Sequence, residues 1–178
     1  MKIQPQRHEN LKKIVDLVEG MTIAMLTTQA PDGRLLGRPM AALEVDADGS
    51  FWFFTSERSA KVHQLDRVNL AFTDEGDATY VSISGRAAIV NDRTRIDELW
   101  TIAAKPWFPQ GKDDPDLVLL RVDTDIAEYW DANSSKMIRL LAMAASAVGG
   151  RPIGLGEHEV VNNPSRPPVS HQRSLIGD

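Results

Sequence analysis

Pro31-Asp32-Gly33 and Asp46-Ala47-Asp48-Gly49 cut the first part of the chain into pieces of strand length. Proline presets φ and glycine tolerates φ > 0, so both clusters have a physical reason to reverse the chain. Met21–Thr28, a short apolar run with threonine, precedes the first cluster. Gly37–Val45 lies between the two, and Phe51–Thr55 follows the second. Leu70–Thr73 and Tyr80–Val90 read as further strands. In the latter, Val81, Ile83, Ala87 and Ile89 alternate with Ser82, Ser84 and Arg86, the pattern of a half-buried antiparallel strand. Leu117–Val122 and Ile126–Trp130 supply one or two more. About six short antiparallel strands with flanking helices predict a β-barrel of the α+β, mainly β, class.

The helices come from a different period. Leu11, Ile14, Val15 and Val18 recur at helical spacing within His8–Val18, and Gly20 stops that run. Ser56 is placed to cap a short helix reaching Leu65, and Asp92–Ala104 and Ser135–Val148 read as two more. Lys105–Pro115 is a Pro/Gly-rich loop carrying Trp107 and Phe108, placed to cover a pocket or a partner subunit. Trp52 and Trp100, in a strand and a helix, are expected to pack in the core. From Gly149 the chain is rich in Gly, Pro, Asn and Ser. The expected organisation is therefore one domain over residues 1–148 and a flexible tail over 149–178.

Composition narrows the chemistry. With 178 residues and a net charge of −5, the chain lacks the basic excess of a general nucleic-acid binder. It has no cysteine, so disulfides, thiolate nucleophiles and Cys-ligated metals are excluded by inventory. His8, His63, His158 and His171 show no metal-ligand spacing, so no metal site is expected. The opening Met1-Lys2-Ile3-Gln4-Pro5 carries no apolar h-region, and no run approaches the roughly 20 apolar residues that span a bilayer. A cytoplasmic protein without a membrane partner is expected. No nucleophile–base pair and no phosphate-binding glycine motif stands out, so no catalytic residue is assigned.

One constellation does carry chemistry. Arg38 lies on the second predicted strand, Thr55 and Ser56 end the third, and Lys61 follows on the predicted helix. A guanidinium fork, an ammonium and hydroxyl donors are what a phosphomonoester needs, and a helix N-terminus would add backbone donors. The same residue types also make an ordinary solvated surface. Spacing alone leaves both readings open.

The combination Gly37-Arg38-Pro39-Met40, Phe51-Trp52-Phe53-Phe54-Thr55-Ser56, Ser59-Ala60-Lys61-Val62 and Leu70-Ala71-Phe72 resembles the pyridoxamine 5′-phosphate oxidase-like superfamily. Residues 8–148 are similar to its general stress protein branch, through the opening helix, Trp100, Lys105-Pro106-Trp107-Phe108-Pro109, Gly111-Lys112-Asp113-Asp114-Pro115 and Glu128-Tyr129-Trp130-Asp131. The resemblance implies a six-stranded split barrel that forms a homodimer, with flavin mononucleotide (FMN) in two clefts at the subunit interface. Flavin adenine dinucleotide is the alternative cofactor. By the same resemblance Arg38 and Lys61 would hold the flavin phosphate, and Thr55 and Ser56 would donate to it. Pro39, Met40 and Ala41 would lie along the isoalloxazine, Phe54 near the ribityl chain or phosphate, and Trp130 would reach the flavin near the dimer partner.

The chain also departs from the family pattern. True pyridoxamine phosphate oxidases carry an Arg-x-His pair shortly after the tryptophan, where Lys136 and Ile138 stand here. Isoleucine neither donates nor accepts a proton, so vitamin B6 oxidase activity is not expected. The resemblance implies a flavin-binding stress protein with a redox role, or else a flavin-dependent oxidoreductase acting on another small molecule.

Overall fold

Three stretches, residues 1–59, 65–131 and 157–164, are described by the computed structural model. The turn signals act where expected. Gly33 and Gly49 both adopt positive φ. The second turn is also held by the Asp46 carboxylate, which accepts from the backbone N–H groups of Asp48 and Ser50 at 3.0 Å each. These turns separate β2 (Ile23–Gln29), β3 (Leu35–Val45) and β4 (Phe51–Ser56). The remaining strands are β1 (Lys2–Ile3), β5 (Val68–Asp74), β6 (Thr79–Val90), β7 (Leu117–Asp131) and β8 (Glu157–Asn162).

Antiparallel pairing runs β3-β2-β5-β6-β7-β4, and a β3–β4 pairing closes the ring into a six-stranded barrel. Around it, β1 pairs parallel with the end of β3, and β8 pairs antiparallel with the end of β7. The two expected segments after Leu117 are one long strand.

The closure is incomplete. β4 pairs with β7 along its whole length, but with β3 only from Ala42 to Val45. Among the described residues, Leu35–Ala41 of β3 pair with β2 alone, so β3 and β4 part beyond Ala42 and Phe53. This is the split in the barrel. Pro39 lies on this half-open stretch, where β3 has a single neighbour and a residue lacking N–H is tolerated.

Inward-facing residues of every barrel strand, among them Leu26, Phe51, Phe53, Leu70, Phe72, Ile83 and Tyr129, make the core. The helix α1 (Glu9–Val18) adds Ile14, Val15 and Val18 to it, the stripe that its sequence period announces. A second cluster lies outside the barrel, where Trp52, Leu117 and Leu119 meet Ile96 and Leu99 of α2 (Arg93–Leu99) and Phe108. β4 is therefore covered on both faces, which explains why Phe51-Trp52-Phe53-Phe54 shows no polar alternation. At the register shift between Ser84 and Gly85 the strands β6 and β7 come very close. A Cβ on Gly85 would stand 1.9 Å from the Asp123 carbonyl oxygen.

Several expectations need correction. The helix expected over Asp92–Ala104 ends at Leu99, because Trp100 turns extended and packs its ring 5.8 Å from that of Phe54; a short 3₁₀ turn follows at Ile102–Ala104. The short helix expected after Ser56 begins as a turn at Glu57–Arg58, and residues 60–64 lie outside the described residues. The helix expected at Ser135–Val148 also lies outside them. Within the segment expected to be a flexible tail, Glu157–Asn162 is instead the strand β8, held by ladder hydrogen bonds and by burial of Val161. No described helix is long and apolar enough to cross a membrane.

Candidate functional site at the barrel split

Arg38 and Thr55 stand on the two strands that part. Arg38 shares its face of β3 with the buried Met40 and Ala42, and Thr55 shares its face of β4 with Phe51 and Phe53. Both therefore belong to the inner side of the barrel, at the point where the ladder between their strands ends. Arg38 Nη1 and Thr55 Oγ1 are each buried with no hydrogen-bond partner among the described residues. Thr55 is only 3% exposed.

Leaving such a group unpaired costs on the order of 1–3 kcal/mol, which a ligand accepting from it would recover. Arginine and a hydroxyl offer donors of the kind a phosphate dianion takes. The residues present at the split therefore fit the phosphate end of a flavin nucleotide. Lys61, expected to join them, lies outside the described residues.

Ser56 is positioned differently from the expectation. Its Oγ accepts from the Arg58 N–H at 3.3 Å, and its carbonyl accepts from the Ser59 N–H at 3.0 Å. The Glu57 N–H donates to the Asp116 carbonyl at 2.9 Å, and the Arg58 guanidinium pairs with the Asp116 carboxylate at 2.9 Å. The first three backbone donors after Ser56 are thus already used, that of Glu57 on Asp116 just before β7 and those of Arg58 and Ser59 on Ser56 itself. They add no helix-terminus donors in this conformation. The Ser56 hydroxyl keeps its own proton to donate.

Pro39, Met40 and Ala41 do not share one face. Met40 is buried in the barrel core, while Pro39 and Ala41 are exposed on the outer side. No single face of β3 therefore presents all three side chains to a planar ring. Phe54 points away from Thr55 into the outer cluster, with its ring 5.8 Å from Trp100 and 6.3 Å from Phe108. It supports the strand from behind.

Trp130 faces away from the barrel interior, on which Arg38 and Thr55 lie. Thr55 pairs with Val118 near the start of β7, and Trp130 lies 12 residues further along that strand. Trp130 lies on the outer face, 42% exposed, in register with Tyr80 of β6. Tyr80 was missed by the sequence reading, although it occupies the outward parity of Ser82, Ser84 and Arg86. The same outer face carries the exposed Met25 and Ile23 of β2, in register with Pro39 and Ala41.

Trp52 is buried between two guanidinium groups, with Arg95 4.3 Å and Arg121 5.9 Å from its ring centroid. Its indole N–H donates to the Asp46 carboxylate at 3.0 Å. It is a structural residue, as expected. Trp107 is 75% exposed beside the buried Phe108. A groove of ≈ 650 Å³ lies elsewhere, lined by Gln29, Leu35, Arg67, Asn69 and the ion pair Arg86–Asp125. It does not include the two orphaned donors.

Comparison with known proteins agrees with this architecture. General stress protein 26 of Bacillus subtilis is 27% identical over 137 residues, covering 72% of this chain and 94% of that one. The structure of a general stress FMN/FAD binding protein from Xanthomonas citri shares 35% identity, with a TM-score of 0.60 over 71% of this chain and 92% of that one. A Clostridium acetobutylicum protein related to general stress protein 26 gives 27% identity and a TM-score of 0.60, covering 68% of this chain and 87% of that one. The family model described as pyridoxamine 5′-phosphate oxidase like matches residues 9–153. With that match over most of its length and the split six-stranded barrel, the chain belongs to the pyridoxamine 5′-phosphate oxidase-like family, on its general stress protein branch.

Proposed function

We propose that this protein binds FMN at the barrel split and works as a homodimeric stress flavoprotein in the cytoplasm, without vitamin B6 oxidase activity. The observation that carries the reading is the pair of buried donors without a partner among the described residues, Arg38 Nη1 and Thr55 Oγ1, where β3 and β4 separate. Arg38, Thr55 and Ser56, with Lys61, take the phosphate. Pro39, Met40 and Ala41, on the stretch of β3 past its pairing with β4, lie beside the ring. Phe54 holds β4 in place through the outer cluster. Bound FMN supplies one- or two-electron redox chemistry, and the chain supplies its position and surroundings.

In the homodimer a second copy presents its Tyr80 and Trp130 to a flavin seated at Arg38 and Thr55. The exposed apolar residues Ile23, Met25, Tyr80 and Trp130 on one outer face suit such a contact. The likeness to a general stress FMN/FAD binding protein supports the choice of ligand.

Titration of the purified protein with FMN, followed by flavin fluorescence and absorbance, tests the reading. Arg38→Ala is expected to weaken binding by roughly 1.5–3 kcal/mol, the range for hydrogen bonds to a charged group. A wild-type protein that shows no spectral change with FMN would refute it. Equal affinity in Arg38→Ala would mean that the phosphate sits elsewhere.

A further inference from the structure

The strand β8 lies beyond residue 153, where the match to the family model ends. It fills a specific gap. β4 leaves β7 after the pair Phe51–Val122, so the end of β7 would otherwise present an open edge. β8 covers that edge from Ile126 to Asp131, with His158 in register with Trp130. Val161 reaches the barrel core.

Just past β8, Asn163 is 1% exposed and locks the segment in place. Its side-chain Nδ2 donates to the Thr124 carbonyl at 2.9 Å and to the Asp48 carbonyl at 3.3 Å, and its backbone N–H donates to the Asp125 carbonyl at 3.0 Å. The Thr124 hydroxyl in turn donates to the Gly49 carbonyl at 2.6 Å. One amide thus joins the β3–β4 turn, the bend in β7 and the C-terminal strand.

We infer that β8 is a strap that fixes the Trp130 end of β7, and that Asn163 is the positioning residue that fastens it. The inference rests on the assignment of Trp130 to the flavin site. It adds that this chain sets the tryptophan through a C-terminal segment outside the matched family region. A β7 end with one neighbour instead of two would fray, and the indole would lose its fixed place against the ligand.

The test uses the full chain with Asn163→Asp, which keeps the shape of the side chain but replaces its amide donors with a carboxylate facing carbonyl oxygens. Hydrogen exchange is expected to speed up about tenfold or more at residues 126–131 and to stay unchanged at 117–122. FMN affinity is expected to fall about five- to tenfold. In a Trp130→Phe background the same substitution should add no further loss, because its effect passes through the indole.

Unchanged exchange at 126–131 overturns the strap whether or not flavin binds. Local loosening with undiminished FMN affinity, or an undiminished loss in the Trp130→Phe background, overturns the link to Trp130. A wild-type chain that binds no FMN instead refutes the flavin reading, and the exchange data then still judge the strap. If Asn163→Asp unfolds the barrel, Asn163→Ala is measured in the same way.

Discussion

At Gly85 the backbone of β6 approaches β7 too closely for any side chain, with the virtual Cβ 1.9 Å from the Asp123 carbonyl oxygen. An isolated glycine inside an alternating strand is a recognised sign of a bulge, but which strand approaches it depends on pairing that a linear reading does not contain. Gly85→Ala is expected to destabilise the fold by about 1–3 kcal/mol or more, since backbone on backbone cannot relax by rotamer change. Urea unfolding monitored by tryptophan fluorescence checks this, and an unshifted midpoint would contradict it. Arg38 shows the complementary case. Its residue type and its place on a strand are legible in the sequence, whereas the burial of one guanidinium nitrogen without a partner among the described residues is visible only once β3 and β4 are seen to diverge.

Elements were legible where local periodicity and packing agree. The stripe Leu11, Ile14, Val15 and Val18 is buried as a unit, and β6 keeps its alternation up to the glycine. Local preference is overridden where a tertiary contact competes with it. α2 stops at Leu99 because Trp100 turns toward Phe54. β1 is two residues long and exists only through its parallel pairing with Glu44 and Val45. β8 has little apolar content of its own and is held by the β7 edge and Asn163, so composition suggests a tail. α2 also permits an element-scale prediction. The Asp92 side chain caps it by accepting from the Arg95 N–H at 3.0 Å. Arg95 then reaches the buried Glu44 at 3.3 Å and stacks on Trp52. Asp92→Ala should cost about 0.5–2 kcal/mol, as for other lost caps, measurable as a lower denaturation midpoint. If Asp92→Ala keeps the wild-type midpoint, the cap does not support the helix.

For the whole molecule, the proposed site is a product of two copies, with Arg38 and Thr55 from one and Trp130 from the other. That arrangement can be tested by complementation. Arg38→Ala removes the phosphate anchor of a chain, and Trp130→Ala removes what the chain offers to its partner. Each variant alone should bind FMN weakly, because every site in its dimers has one defect. After the two are unfolded together and refolded, a mixed dimer contains one site with both defects and one with neither. Random pairing then restores roughly a quarter of the sites to wild-type affinity, read as a tight phase in the flavin titration. Sites built within a single chain would give no tight phase, since every chain in the mixture carries a defect. The same samples, run by analytical ultracentrifugation, report whether pairing occurs. Dimers without a tight phase would place Trp130 outside the flavin site, and monomers throughout would remove the second copy from the mechanism.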